Sequence, residues 1–237
     1  MSPAARTVAL LFVGLLTAGP AAAKGKKGKK KKGKKSQAKV LVHASATGNF
    51  GLFGHAESEP DEDNPDDSVS LAYGGGGAGF AHVGFRLGRS GLFLGPMARY
   101  EQVTYGAPIR TTDADGATTF DTLEYVLPTT TGGVSLQVGG RASHASVGFG
   151  YSWGQGSTTS RETNQTTTSA VRAPMVAFTV ARGFVVAPRT SLNVGLEVQT
   201  RVIGFTAADP DALFPALGGE RAQSLTWGPT IGLTTRL

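Results

Sequence analysis

The side chains of this chain that could do chemistry fall into three groups. The first is a set of polar groups at alternate positions of otherwise apolar stretches: His43, His82, Arg86, Arg99, Glu101, Glu197, Gln199 and Arg201. Alternate residues of an extended strand share a face, so these point the same way as their Ser, Thr, Asn and Gly neighbours and away from the apolar face. In a narrow enclosed space such charges either pair into a satisfied plug or line a gated ion path. Glu197 and Arg201 lie on one face of one strand, roughly 13 Å apart along it, so each is expected to pair with a neighbouring strand rather than with the other. The second group is His144-Ala145-Ser146, whose imidazole and hydroxyl share a strand face as a base and its nucleophile must. The next acid in the chain is Glu162, in a polar segment, so the plain reading is a histidine beside a turn. The third group is the acidic run from Glu57 to Asp67, where Asp61, Asp63, Asp66 and Asp67 are hard-oxygen candidates for a divalent cation. It lacks the sixth-position glycine and twelfth-position glutamate of an EF-hand, and a solvated loop is expected. Asp113-Ala114-Asp115-Gly116 is a turn signal before it is a metal site. No cofactor is expected: Gly74 to Gly77 fall within a strand with no helix start behind them, and the cysteine count is zero.

The elements that must position these groups are strands, because apolar residues recur with period two from Lys39 to the end. Leu225, Trp227, Pro229, Ile231, Leu233 and Leu237 alternate with Thr226, Gly228, Thr230, Gly232, Thr234 and Arg236. Leu192, Val194, Leu196, Val198 and Val202 alternate in the same way with Asn193, Glu197, Gln199 and Arg201. Eight such strands can be drawn. Gly88 to Gly91, Gly139 to Ala142 and Ala187 to Thr190 are short connections, and Gly51 to Asp67, Ala107 to Thr119, Gln155 to Thr168 and Ala207 to Gly219 are long ones. Across the first short connection, pairing Leu87 with Leu92 also pairs Phe85 with Leu94, Val83 with Pro96 and Ala81 with Ala98, so the apolar faces coincide as one surface requires.

The polar face decides which side is enclosed. A soluble exterior is rich in Lys and Glu, whereas here that face is mostly Gly, Ser, Thr, Asn and Gln, as suits a narrow barrel interior. The expected architecture is therefore all-β: an eight-stranded antiparallel up-and-down barrel, apolar outward, with short turns at one end and long loops at the other. Tyr73, Tyr100, Tyr151, Trp153 and Trp227 share the outward parity near the long-loop ends, the placement of an interfacial aromatic belt. Pro96, Pro128, Pro174 and Pro229 lie inside strands; since a closed barrel has no edge to accommodate a missing N–H, bulges or earlier strand ends are expected there.

Before the barrel, residues 1–23 read as a secretory signal peptide: Arg6, an apolar run from Thr7 to about Leu16, then Ala21-Ala22-Ala23. Residues 24–38 form a Lys/Gly-rich tail, and residues 39–237 the barrel. Nine of the 23 basic residues lie between Lys24 and Lys35 and one is Arg6, leaving 13 against 17 acids and a barrel near −4. The basic pI therefore belongs to the tail, which is expected to be a solvated tether, with an anionic envelope surface as its alternative contact; nucleic acid is not an expected partner.

The signal peptide, eight alternating strands and terminal apolar strand resemble the small eight-stranded bacterial outer-membrane barrels, of the kind found in the OmpA transmembrane domain, OmpX and OmpW. The resemblance is one of pattern over residues 39–237. It implies an outer-membrane location with the N-terminal tail periplasmic, contact with outer-membrane lipid and lipopolysaccharide, and recognition of the last strand by the barrel-insertion machinery. Leu237 stands where that family usually ends on an aromatic. His144-Ala145-Ser146 is also similar to the His-x-Ser of lipid A deacylases, but adjoins the periplasmic turn, the wrong leaflet for lipid A. The expected role is non-enzymatic, in envelope structure or surface contact; a narrow channel for ions or small solutes is the second expectation and a lipid A-modifying enzyme the third.

Overall fold

The computed structural model describes residues 38–55, 71–88, 91–112, 118–207 and 221–237. The signal and tail segments and the acidic candidates Asp61, Asp63, Asp66 and Asp67 lie outside them. Eight strands run β1 (Val40–His55), β2 (Leu71–Arg86), β3 (Leu92–Thr112), β4 (Thr118–Gly139), β5 (Ser143–Ser160), β6 (Thr166–Ala187), β7 (Thr190–Ala207) and β8 (Arg221–Arg236). Each pairs antiparallel with its sequence neighbours and β1 pairs with β8, so the sheet is a closed barrel in chain order. The ring closes without an edge strand, and every ladder finds a partner. In the β2–β3 hairpin Phe85 opposes Leu94 and Ala81 opposes Ala98, while Leu87 N–H donates to the Leu92 carbonyl at 2.9 Å.

Two expected loops are strand instead. The segment 107–119 continues β3 and β4 to a connection at 113–117, and 155–168 continues β5 and β6 to a turn at 161–165. In that turn Asn164 takes a left-handed conformation (φ 59°) and the Ser160 N–H reaches the Gln165 carbonyl at 3.0 Å. Asn tolerates that conformation better than most side chains. The strands of 16 to 22 residues exceed the nine to eleven or so that a tilted strand needs to cross a bilayer.

The four prolines produce neither bulges nor early ends. Instead one ladder beside each loses two pairings and resumes in the same register. The β1–β8 ladder passes from Thr47↔Thr230 to Phe50↔Trp227, and β2–β3 from His82↔Met97 to Phe85↔Leu94. The β4–β5 ladder passes from Val126↔Ser157 to Thr129↔Gly154, and β6–β7 from Arg172↔Gly204 to Met175↔Arg201. The one register shift recorded lies at Val185/Ala187, beside a short turn. Gly228, next to Pro229, shows how the chain tolerates the gap: a Cβ there would stand 1.6 Å from the Gly48 carbonyl oxygen. Only glycine permits so close an approach.

Candidate functional site

The candidate site is the barrel interior, and it is layered. All of the polar residues expected to face inward do so, with Arg86 half-buried and the others buried. In the middle layer Glu101 accepts hydrogen bonds from Asn49 Nδ2 (2.7 Å), Arg99 Nε (3.2 Å), Gln199 Nε2 (3.0 Å) and Arg201 Nη2. Glu197 accepts from Arg99 Nη1 (2.5 Å) and Thr179 Oγ1 (3.3 Å), and Arg201 Nη1 donates to Thr129 Oγ1 (3.1 Å). Two guanidinium groups face two carboxylates, so the layer is neutral, as charges withdrawn from water require. The pairing corrects one expectation. Glu197 and Arg201 find their charged partners on β3, across the lumen from β7, and only Glu197 is also bonded by a neighbouring strand, through Thr179 of β6, because the eight-stranded interior is narrow enough for long side chains to meet in the centre.

Toward the end that carries 113–117 and 161–165, the interior turns apolar. Phe53, Val103, Tyr105, Leu123, Tyr125, Leu127, Val171 and Ile203, with Ala72, Ala107, Ala173 and Ala222, form one buried cluster. The Phe53 ring packs 5.3 Å from Tyr105 and 5.6 Å from Tyr125. Seven strands contribute, and β5 yields space: a Cβ on Gly156 would lie 2.7 Å from Leu127 Cδ2. This core was not read from the sequence, although Leu123, Tyr125 and Leu127 alternate cleanly on the parity opposite to Val134, Leu136 and Val138.

The layer toward the short turns holds the histidines. His43 Nδ1 lies 2.7 Å from Thr234 Oγ1, its ring 5.6 Å edge-on from His144 and 5.8 Å from Phe80, and Phe80 packs 6.4 Å from His82. No group of three metal-ligating side chains assembles among the described residues. Arg236 crosses this mouth, donating to the carbonyls of Gly139 (3.1 Å) and Gly140 (2.6 Å) and lying 5.4 Å over Phe93. His144 and Ser146 both face inward, but Glu162 lies beyond the opposite end of β5, roughly 50 Å along the strand. The two sequence-adjacent groups share a face, and the acid that would complete them does not reach it.

Outside, the large apolar side chains of the outward parity are exposed, among them Phe85, Phe149, Phe184, Leu196, Ile231 and Leu233; Val185, exposed on the inward parity, stands beside the register shift near the β6–β7 turn. Tyr73, Tyr100, Tyr151, Trp153 and Trp227 are exposed on the same surface. Around the apolar plug the exterior becomes mixed: Gln102, Thr104, Thr122, Glu124, Gln155, Ser157, Thr159 and Thr168 stand among Leu52, Tyr73, Val126 and Val202, with Arg161 paired to Glu124 at 3.2 Å in solvent.

The class these features define is the small closed eight-stranded antiparallel barrel, the architecture implied by the sequence pattern. No family model and no curated protein matches the sequence. Among solved structures the chain is similar to Ail, the attachment invasion locus protein of Yersinia pestis, in complex with the heparin analogue sucrose octasulfate: 10% identity over 84% of this chain and 99% of that one, TM-score 0.40. It is similar to the outer membrane protease OmpT of Escherichia coli, with 10% identity over 84% and 97% and TM-score 0.42, and to Neisserial surface protein A, with 10% identity over 84% and 97% and TM-score 0.34. Likeness at this level transfers no residue role, and the functional reading rests on the chain's own side chains.

Proposed function

We propose that this protein is a non-conducting, non-enzymatic barrel of the bacterial outer membrane, which holds a rigid polar-surfaced extension and its loops above the lipid for envelope structure or surface contact. The observation that carries this is the inversion of polarity along the barrel. One half is apolar outside and polar inside, as a strand between lipid and a lumen must be; the other is apolar inside and mixed outside, with Gln102, Thr104, Glu124 and Gln155 among Tyr73, Val126 and Val202, as the surface of a water-exposed barrel is. The outward Tyr and Trp side chains collect toward the change, where an interfacial girdle belongs. In this reading outer-membrane lipid and lipopolysaccharide surround the belt, the short turns and the N-terminal tail are periplasmic, and β8 is the strand offered to the insertion machinery.

The closed interior favours a structural role over a channel. The neutral layer around Glu101 and the apolar cluster around Tyr125 both cross the lumen, and an eight-stranded barrel has little width beyond its own side chains. The separation of His144 and Ser146 from Glu162 argues against an acyl-transfer triad. Migration in SDS with and without boiling tests the membrane barrel, since a closed barrel keeps its shape in cold detergent; identical migration contradicts it. Planar-bilayer recording tests closure: the expected result is a silent bilayer, and reproducible unitary steps overturn it. Lipid A should be unchanged after incubation with the protein, and loss of an acyl chain would establish the enzyme reading.

A further inference from the structure

The charges of the barrel are sorted by end. Of the acids in the described residues, Glu101 and Glu197 are buried in the middle layer, and Asp121, Glu124 and Glu162 belong to the end with the long connections. The short-turn end carries Lys39, Arg86, Arg141, Arg182, Arg189 and Arg236 with no described acid among them. Arg141, Arg182 and Arg189 are exposed, and among the described residues none of the three has an ion-pair partner.

Their placement is specific. Arg182 lies on the outward parity of β6 between Val180 and Phe184, and Phe184, Val185 and Val186 below it are all at least half exposed. Its neighbour Gly183 donates its N–H to the Ala142 carbonyl at 2.9 Å, and a Cβ on Gly183 would lie 1.9 Å from the Arg141 carbonyl oxygen. The β4–β5 turn with Arg141 is therefore held against the Arg182 segment. Arg189 accepts the Arg236 N–H at 2.9 Å, and Arg141 and Arg86 stand near enough to Arg236 to act on it electrostatically. Arg141 and Arg182 therefore have adjacent backbones, and Arg189 lies further out in the β6–β7 turn, so the three are spread over the last outward apolar residues of this end, Phe184 and Val186 among them. An arginine beside lipid-facing apolar residues extends its guanidinium to the interface, where its planar fork matches a phosphate oxygen pair.

We infer that Arg141, Arg182 and Arg189 form a binding band for anionic phospholipid headgroups in the leaflet around the short-turn end. The inference rests on the membrane reading above. Phosphodiester lipid is the occupant that fits, because it supplies the missing negative charge beside the outward apolar residues that flank these arginines.

The absence of cysteine makes a site-specific test direct. A fluorophore on Ala142→Cys in the full chain reports the arginine band, and one on Thr163→Cys reports the opposite end. Each is reconstituted in phosphatidylcholine vesicles containing equal fractions of brominated phosphatidylcholine or brominated phosphatidylglycerol. Quenching at Ala142→Cys should be several-fold greater with the anionic lipid, with no such excess at Thr163→Cys. Arg141→Gln/Arg182→Gln/Arg189→Gln should cut the excess by about fivefold or more, since each basic group near a surface contributes roughly a fivefold preference. Equal quenching by the two lipids at Ala142→Cys overturns the inference, and this comparison needs no arginine variant to fold. An excess that survives the triple variant but disappears when the tail lysines are replaced by Gln also overturns it, assigning the effect to the tail. Failure of the protein to insert, with no quenching by either lipid, instead refutes the membrane reading.

Discussion

The two halves of this barrel are built from the same alternation with opposite polarity. In β4 the half near the short turn sends Val134 and Val138 outward and buries Ser135 and Gln137; the other half buries Leu123, Tyr125 and Leu127 and leaves Thr122, Glu124 and Thr130 on the outside. No bulge separates them, for the β3–β4 register is continuous from Leu92↔Val138 to Thr112↔Thr118. The backbone does not record the boundary; in the proposed membrane setting, the medium on each side does. Where lipid lies outside, the hydrophobic effect gives no reason to fill the lumen with apolar groups, and a paired polar layer suffices. Where water lies outside, the only place to bury Tyr125 and Leu127 is the lumen.

The largest test of this contrast is removal of Glu101, which accepts hydrogen bonds from four side chains. Glu101→Ala leaves Arg99 and Arg201 buried without their shared carboxylate, and urea unfolding in lipid vesicles should show a loss of about 3–5 kcal/mol. A loss below about 1 kcal/mol would mean that the middle layer is hydrated and open. Leu127→Ala should cost about 3 kcal/mol through the cavity left in the apolar plug, while Leu196→Ala, 66% exposed on the apolar exterior, should change stability little in vesicles. Equal losses would remove the distinction between the halves. Leu196→Arg should cost about 2 kcal/mol or more if that surface lies within the hydrocarbon, whereas Gln155→Arg, exposed outside the plug, should stay within about 0.5 kcal/mol. Smallest is Arg161→Ala: the pair with Glu124 is largely in water, and its loss should be no more than about 1 kcal/mol and should shrink further in salt.

Much of the half with the apolar exterior was legible in the sequence. Period two fixed the outward parity of Phe85, Val134, Leu196 and Ile231, the turn at Gly88 set the β2–β3 register, and the inward polar residues followed from the opposite parity. The half that holds the apolar plug was less so, because 107–119 and 155–168 read as loops. Gln155 to Ser160 and Thr166 to Thr168 lack an apolar face; they become strand because they pair with each other and with neighbours that supply the core, Leu127 and Val171 among them. The switch of apolar parity within β4 was visible, but its meaning depends on which medium lies outside, and residue order does not state that. The proline gaps were hidden for a related reason. Whether a missing N–H causes a bulge or a two-pair interruption depends on what opposes it, and the approach of Gly48 to Gly228 is a property of the closed ring.

The boundary between the halves is open to one direct measurement. Single nitroxide labels at the outward β4 positions Thr122, Glu124, Thr130, Val134, Leu136 and Val138 can each be read in vesicles for exposure to a water-soluble nickel chelate and to lipid-soluble oxygen. Val134, Leu136 and Val138 should be exposed to oxygen and shielded from nickel, Thr122 and Glu124 the reverse, with the crossover near Thr130. Nickel exposure along the whole strand, or oxygen exposure that continues through Glu124 and Thr122, would contradict a membrane boundary at the inversion of polarity.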